Sequence, residues 1–453
     1  MSIYRQLVAA VLFPLHERLK RHDTIAVYKA MERSQWLSPN RIAELQLANL
    51  QRFLHRIGTT VPYYEKLFAD SGLDPTAVSS TADLQRLPLL DKRSIRAHND
   101  TLQARNANGL KRFNTGGSSG EPLIFYLGRE RVSHDVAAKR RATRWWDVDV
   151  GDAEIVVWGS PIELGAQDRV RGLRDKIFRT QLLSAFEMSG DNLDHFVARI
   201  IAVRPAMLFG YPSALSVIAE HALRGGRDLS KLGIKVVFVT SERLYDHQRD
   251  VISTAFGCPV ANGYGARDAG FIAHECPHGR MHITAEDIVL EIVDPSGTVL
   301  APGQAGEIVV THLFTRDFPF VRYRTGDIGV VDPEPCTCGR GLPVLAAVEG
   351  RTTDFLVACD GTLLHGLALI YVLRDMPGVE EFKIVQETLH HTRVVVIAGA
   401  ADKAYLQSTI ERQFRARLGS EVTVTVEFVQ TIASEKSGKF RYVVSHVAQE
   451  RSP

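Results

Sequence analysis

The chain has 453 residues, 45% of them hydrophobic and 23% charged, which leaves room for at least two domains and a large core. Lys+Arg 54 against Asp+Glu 52 gives a formal charge of +2, so the chain as a whole has no strong bias toward nucleic acid or membrane. The five cysteines, Cys258, Cys276, Cys336, Cys338 and Cys359, are an odd set in a long chain, which argues against a disulfide framework and for a reducing, cytoplasmic setting.

Residues 7–15 form an apolar run shorter than the roughly 20 residues a bilayer span needs. The run lacks the charge order and small-residue cleavage site of a signal peptide. It is expected as an amphipathic helix lying on the protein body or on a membrane surface, with no transmembrane segment. Residues 28–33 and 38–54 carry apolar positions three and four apart, and Ser38-Pro39 is a helix start, so residues 1–100 should be mainly helical. The basic run Lys139-Arg140-Arg141, among Asp135, Asp147 and Asp149, is expected as a solvated helix face.

From about residue 153 the texture changes. Strand-like runs at 154–158 and 234–240 alternate with helical runs at 191–203 and 246–256, the signature of a mostly parallel sheet with helices on its faces. After about 280, short β-branched runs at 288–293, 306–311 and 327–331 predict a small antiparallel or barrel-like β subdomain. Beyond Gly350-Arg351, a β-β-α-β order over about 100 residues predicts a compact α+β lobe. The fold class is therefore α/β, with a large domain over 1–350 and a small lobe over 351–453.

The segment most informative about chemistry is Thr115-Gly116-Gly117-Ser118-Ser119-Gly120, three glycines and three hydroxyl residues in six positions. Such a loop exposes N–H donors that can wrap a polyphosphate. It is not a Walker A loop, because no Gly-Lys-Ser/Thr follows. Thr240-Ser241-Glu242, Asn262-Gly263-Tyr264-Gly265-Ala266-Arg267-Asp268, Arg322-Tyr323-Arg324-Thr325-Gly326-Asp327, Gly350-Arg351-Thr352-Thr353-Asp354 and Ser437-Gly438-Lys439 follow in order. Together these six resemble the motifs of the PaaK-like branch (phenylacetate–CoA ligases and CapK-like capsule-biosynthesis relatives) of the adenylate-forming superfamily.

The resemblance implies a large AMP-binding domain and a mobile C-terminal lobe. It implies a nucleotide site of Thr115, Gly116, Gly117, Ser118, Ser119, Gly120, Ser241, Glu242, Tyr264, Gly265, Asp327 and Arg351. Asp268 would help hold Mg2+, Asp354 would be the hinge, and Lys439 would be catalytic, with Lys436 a competitor for that role. ATP, Mg2+ and CoA are the implied cofactors and a small-molecule carboxylic acid the implied substrate; homodimers are common in the branch. Arg267 stands where the family usually has Ser or Thr, and Asp268 where it usually has Glu, so Arg267 could reach a phosphate or pair with Asp268. Thr353 replaces a common first Asp at the hinge.

Cys276, His282, Cys336 and Cys338 make a closed Cys₃His set suited to structural zinc, and some PaaK-like proteins carry a similar pattern. His274 and His278 are alternative ligands. Cys258 and Cys359 sit in apolar settings and read as core thiols. Tyr211, at the end of a strand before a helix, and Trp145 are candidate acyl-pocket residues. Two readings compete with the CoA ligase: an enzyme that passes the acyl group to a sugar or carrier or adenylates a cofactor, and a nucleotide-binding protein that has lost catalysis.

Overall fold

The computed structural model describes residues 3–114, 123–158, 168–185, 190–351, 355–360, 363–365, 367–374, 376–399, 402–432 and 442–447. Contacts divide the chain into two compact units, one of residues 1–325 with 329–348 and one of 326–328 with 349–453.

The first unit begins helical, as the spacing predicts. In the helix Pro39–Thr60, Ser38 Oγ accepts the Arg41 N–H at 3.5 Å, and Pro39 occupies the first turn, where no N–H is needed. Ile42, Leu50, Phe53, Leu54 and Ile57 are buried along one face. The same helix is fastened by amides. Gln46 donates to the Ala285 and Ile288 carbonyls at 3.0 and 2.7 Å, and Asn49 to the Glu286 carbonyl at 2.9 Å.

Strands β1 (Lys111–Asn114) and β2 (Ile124–Leu127) form an antiparallel pair with Asn114 opposite Ile124. The central sheet starts with β3 (Glu154–Trp158), β4 (Thr180–Ser184), β5 (Met207–Gly210), β6 (Val236–Thr240) and β7 (Val260–Ala266), all pairing in parallel. The helices Asp168–Phe178, Gly190–Val203, Pro212–Arg224 and Asp246–Phe256 connect them. Every residue of β5 and β6 is buried, which is why their sequences are continuous apolar runs without alternation. Gly210 is required at its place, since a Cβ there would lie 2.3 Å from the Val157 carbonyl oxygen.

The sheet then reverses direction. β7 turns back into β8 (Gly270–Glu275), which pairs antiparallel with β9 (Met281–Ile283). β10 (Ile288–Val293), β11 (Gly306–His312), β12 (Tyr323–Asp332) and β13 (Val344–Arg351) extend it, in the order β10-β11-β12-β13-β9-β8-β7-β6-β5-β3-β4. The strand-rich stretch is therefore not a sheet closed on itself: among the described residues its strands hydrogen-bond into one 11-stranded sheet. β-Branched runs and turns signal strands but not the partners they choose.

The basic run 139–141 also differs from expectation. Arg141 is 1% exposed and pairs with Glu286 at 2.6 Å, while Arg140 pairs with the buried Asp149 at 2.8 Å. These charges are paired inside the fold instead of facing water.

In the second unit, β14 (Phe355–Val357) pairs with β15 (Leu363–His365), and β16 (Val379–Thr388), β17 (His391–Ala398), β18 (Thr423–Phe428) and β19 (Val443–Ser445) form a sheet ordered β18-β17-β16-β19. The helix Lys403–Leu418 is capped by Asp402, whose Oδ1 accepts the Ala404 N–H at 2.9 Å. It buries Leu406, Ile410, Phe414 and Leu418, a four-residue spacing that keeps one face on the lobe core.

Candidate active site

Ser241 and Glu242 sit at the carboxyl end of β6, where open α/β sheets place ligands. Ser241, the first residue past β6, has φ 72°, a left-handed conformation that costs a non-glycine residue about 1–3 kcal/mol and concentrates at functional sites. The next residue, Glu242, accepts the Ser213 N–H at 3.2 Å, placing a carboxylate at the N-terminus of the helix Pro212–Arg224. Tyr211 precedes that helix, buried, with its ring stacked on Trp158 at 4.3 Å between centroids.

The tyrosine–glycine motif, residues 262–268, lies in the β7–β8 hairpin. Its register shifts between Tyr264 and Gly265, and a Cβ on Gly265 would lie 2.3 Å from the Gly270 carbonyl oxygen, so only glycine lets the strands close there. Arg267 and Asp268 occupy the tip. Arg131, itself 1% exposed, steadies that tip: it donates to the Arg267 carbonyl at 3.5 Å, to Thr315 Oγ1 at 2.7 Å, and pairs with Asp135 at 3.0 Å. Burial pushes the Asp135 carboxyl above its usual range although Arg131 opposes this. The Arg267 guanidinium lies over the Phe113 ring, 5.4 Å from its centroid, and so beside the end of β1.

The aspartate motif, residues 322–327, meets this hairpin through two hydroxyls. Tyr323 OH donates to Asp268 Oδ2 at 2.6 Å, and Tyr264 OH donates to Thr325 Oγ1 at 3.4 Å. Asp327 follows on the same strand and is half-buried. Arg322 and Arg324 are held by Glu291 at 3.0 Å and Glu307 at 2.5 Å. Tyr323 and Phe113 were not singled out from sequence.

Arg351 ends β13. Thr115, Gly116, Gly117, Ser118, Ser119, Gly120, Thr353, Asp354, Lys436 and Lys439 lie outside the described residues; the strands β1 and β2 that flank 115–122 are described and paired.

A second group lies at the far end of β8. Cys276 opens a tight turn in which the Gly279 N–H bonds its carbonyl at 2.9 Å, with Gly279 at φ 73°. β9 then returns and pairs with β13, His282 opposite Val344, which brings the Cys336–Cys338 turn alongside. The ligand atoms of Cys276, His282, Cys336 and Cys338 all fall within 4.8 Å of one another. Cys276 and Cys336 sulfurs are 3.8 Å apart, matching the roughly 3.8 Å that two Zn–S bonds of about 2.3 Å subtend at a tetrahedral angle. His282 Nδ1 lies 3.2 Å from the Leu342 carbonyl, leaving Nε2 to face Cys338 at 3.2 Å. The donor set fits a four-coordinate closed site. His274 instead stacks on Phe271, and His278 bonds Thr337 at the surface.

Trp145 belongs to this second group: its ring packs edge-on to His282 and under the Arg340 guanidinium, and its Nε1 donates to Gln35 at 2.8 Å. It is not brought together with Tyr211, because those contacts hold it against the Cys/His turn. Cys258 is a core thiol, pushed up to about 12 by burial. Cys359 is only half-buried, with Sγ 3.5 Å from His390 Nδ1.

Residues 356–446 match the model of the CapK C-terminal domain. Protein CapK of Staphylococcus aureus is 25% identical over 433 residues, covering 95% of this chain and 94% of the relative. Phenylacetate-coenzyme A ligase of Thermus thermophilus is 25% identical over 395 residues, 85% of each. These similarities support a place in the PaaK/CapK-like branch of the adenylate-forming superfamily. Its fold is that of a 2-hydroxyisobutyryl-CoA ligase solved in the post-adenylation state with an acyl-AMP, at a TM-score of 0.74 and 21% identity over 91% of both chains. The similarity to CapK extends over both units, since the alignment runs through nearly the whole chain.

Proposed function

We propose that this chain activates a carboxylic acid with ATP and passes the acyl group to the thiol of CoA. The observation that carries the reading is the meeting of the tyrosine–glycine hairpin and the aspartate-motif strand through Tyr323–Asp268 and Tyr264–Thr325, next to the carboxyl end of β6. The phenylacetate–CoA ligase relatives support the choice of thiol.

A carboxylate is a poor acyl donor, and adenylation gives it a good leaving group. One carboxylate oxygen attacks the α-phosphorus, pyrophosphate departs, and the thiol sulfur then attacks the carbonyl carbon, expelling AMP with that oxygen still attached. The protein's part is positioning and electrostatic stabilisation. Tyr264 packs on adenine beside Ser241 and Glu242, Asp327 accepts the ribose hydroxyls, and Arg351 and residues 115–120 bind the nucleotide and its phosphates. Asp268, one oxygen already held by Tyr323, would help hold Mg2+, whose charge neutralises the phosphates. The lobe turns at Asp354 to carry Lys439 in and out of the site. The Cys/His group is a zinc clip on the large unit and takes no part in the chemistry. Tyr211, at the strand ends, is the pocket residue proposed for the acid.

Pyrophosphate release over a broad panel of acids, with and without CoA, tests the reading. Release that needs an acid and is followed by CoA thioester supports it. Acid-dependent release with no thioester favours a sugar or carrier acceptor, a second reading that the near full-length similarity to CapK supports. No release with any acid contradicts both.

Asp327→Ala is expected to raise the apparent KM for ATP tenfold to about a hundredfold while that for the acid stays within about twofold. The change removes a charged hydrogen-bond acceptor worth about 1.5–3 kcal/mol and leaves the acyl pocket alone. Equal effects on both substrates would count against a ribose contact.

A further inference from the structure

The helical segment from Ile3 to Leu19 buries charge and leaves a large apolar row outside. Beside Val8 and Phe13 its inward face holds charge: Arg5 is 6% exposed and paired with Asp147 and Asp152 at 3.3 and 3.2 Å, and Glu17 is 3% exposed and accepts from Thr24 Oγ1 at 2.5 Å. Outward stand Ile3, Leu7, Val11, Leu15 and Leu19, 46–85% exposed. Burying ion pairs and leaving five large apolar side chains in water is costly for a helix that only packs on the body, where the reverse arrangement is the rule.

The backbone keeps these five in one row. Steps of four residues advance about 40° each around an α-helix, so in a regular helix the row would wind through roughly 160° from first to last. Val8–Leu12 is a π-helix, which takes in about one extra residue and removes most of that drift. Pro14, which has no N–H to offer the turn before it, stands just after the widened stretch. The helix is seated by close approach to Gly151, where a Cβ would lie 2.7 Å from Val8.

Charge says what covers the row. Arg18, Lys20 and Arg21 are exposed at its end, and the only acid between residues 3 and 22 is the buried Glu17. The positive groups of Arg174 and Lys111 bear on the Lys20 ammonium as well. A second copy would bring the same sign to this end, whereas phosphate headgroups bring the opposite one. The row is about 25 Å long at 1.5 Å per residue and is flanked by charge, so it suits lying in an interface; no helix among the described residues is long and apolar enough to cross a membrane.

We propose that the Ile3–Leu19 helix seats this protein on the surface of an anionic lipid bilayer, with the apolar row in the acyl boundary and Arg18, Lys20 and Arg21 on the headgroups. The test is co-sedimentation of the full chain with vesicles of phosphatidylcholine and phosphatidylglycerol at 3:1, against phosphatidylcholine alone. Anionic vesicles should bind at least about fivefold better, and the difference should shrink at 0.5 M salt, an order-of-magnitude expectation from screening. Leu7→Glu/Val11→Glu/Leu15→Glu should reduce binding to anionic vesicles at least about tenfold with the melting temperature unchanged. Arg18→Ser/Lys20→Ser/Arg21→Ser should lose the preference for anionic lipid, a result that holds even if the first variant fails to fold. No vesicle binding by the wild type overturns the proposal. Wild-type binding that neither variant alters overturns it too. So does a wild-type dimer, seen by sedimentation, that the apolar-row variant makes monomeric while vesicles bind neither.

Discussion

Lys439→Ala is expected to cut acyl-adenylate formation at least about a hundredfold, the scale of losing one electrostatic contact in a pre-organised site. In the adenylating arrangement the ammonium must lie near the carboxylate oxygen and the α-phosphate, where charge is greatest in the transition state. In the thioester arrangement the lobe has turned, and the same lysine should be far from the carbonyl. Given pre-made acyl-adenylate and CoA, the variant should therefore form thioester at close to the wild-type rate. Lys436→Ala should leave both half-reactions nearly intact. Single-turnover measurement of each half-reaction separates these outcomes. Normal adenylation by Lys439→Ala with loss in Lys436→Ala would move the motif by three residues, and no effect of either would remove the C-terminal lobe from the chemistry.

The second large effect is expected at the Cys/His turn. Protein purified without an affinity tag should carry about one zinc per chain, and Cys338→Ser should lower zinc content and melting temperature together. Structural zinc in small domains contributes about 10–16 kcal/mol, so forfeiting about 4 kcal/mol here would lower melting by about 5 °C for a unit of this size. The ligands tie together the two segments that the pairing of β9 with β13 brings alongside, so loss of metal should loosen that end of the sheet. Activity should fall less than stability. A metal-free wild type with an unchanged melting temperature would contradict the zinc assignment.

What could be learned before the structure depended on whether the signal was local. β6 announced itself as a short β-branched run because both its faces are buried. The Ser38-Pro39 start was legible because capping involves three adjacent residues. The merging of β10 to β13 into the main sheet was not, since a strand's period does not name its partner. The Cys-x-Cys spacing was ambiguous for the same reason: the His282–Val344 register, not the spacing, brings the four ligand atoms together. Trp145 reads as an aromatic beside charges and lands on the Cys/His turn because Gln35 and Arg340 hold it there. The role of Tyr323 was hidden inside a motif whose Asp drew the attention, and only the contact with Asp268 reveals it.

The central claim is that the acid's own oxygen attacks the α-phosphorus. Turnover of a carboxylic acid labelled with oxygen-18 in both carboxyl positions, followed by mass spectrometry of the nucleotide, tests it directly. The acyl-adenylate route leaves one labelled oxygen in AMP and none in pyrophosphate when CoA takes the acyl group. Label in inorganic phosphate or pyrophosphate, with AMP unlabelled, would contradict it.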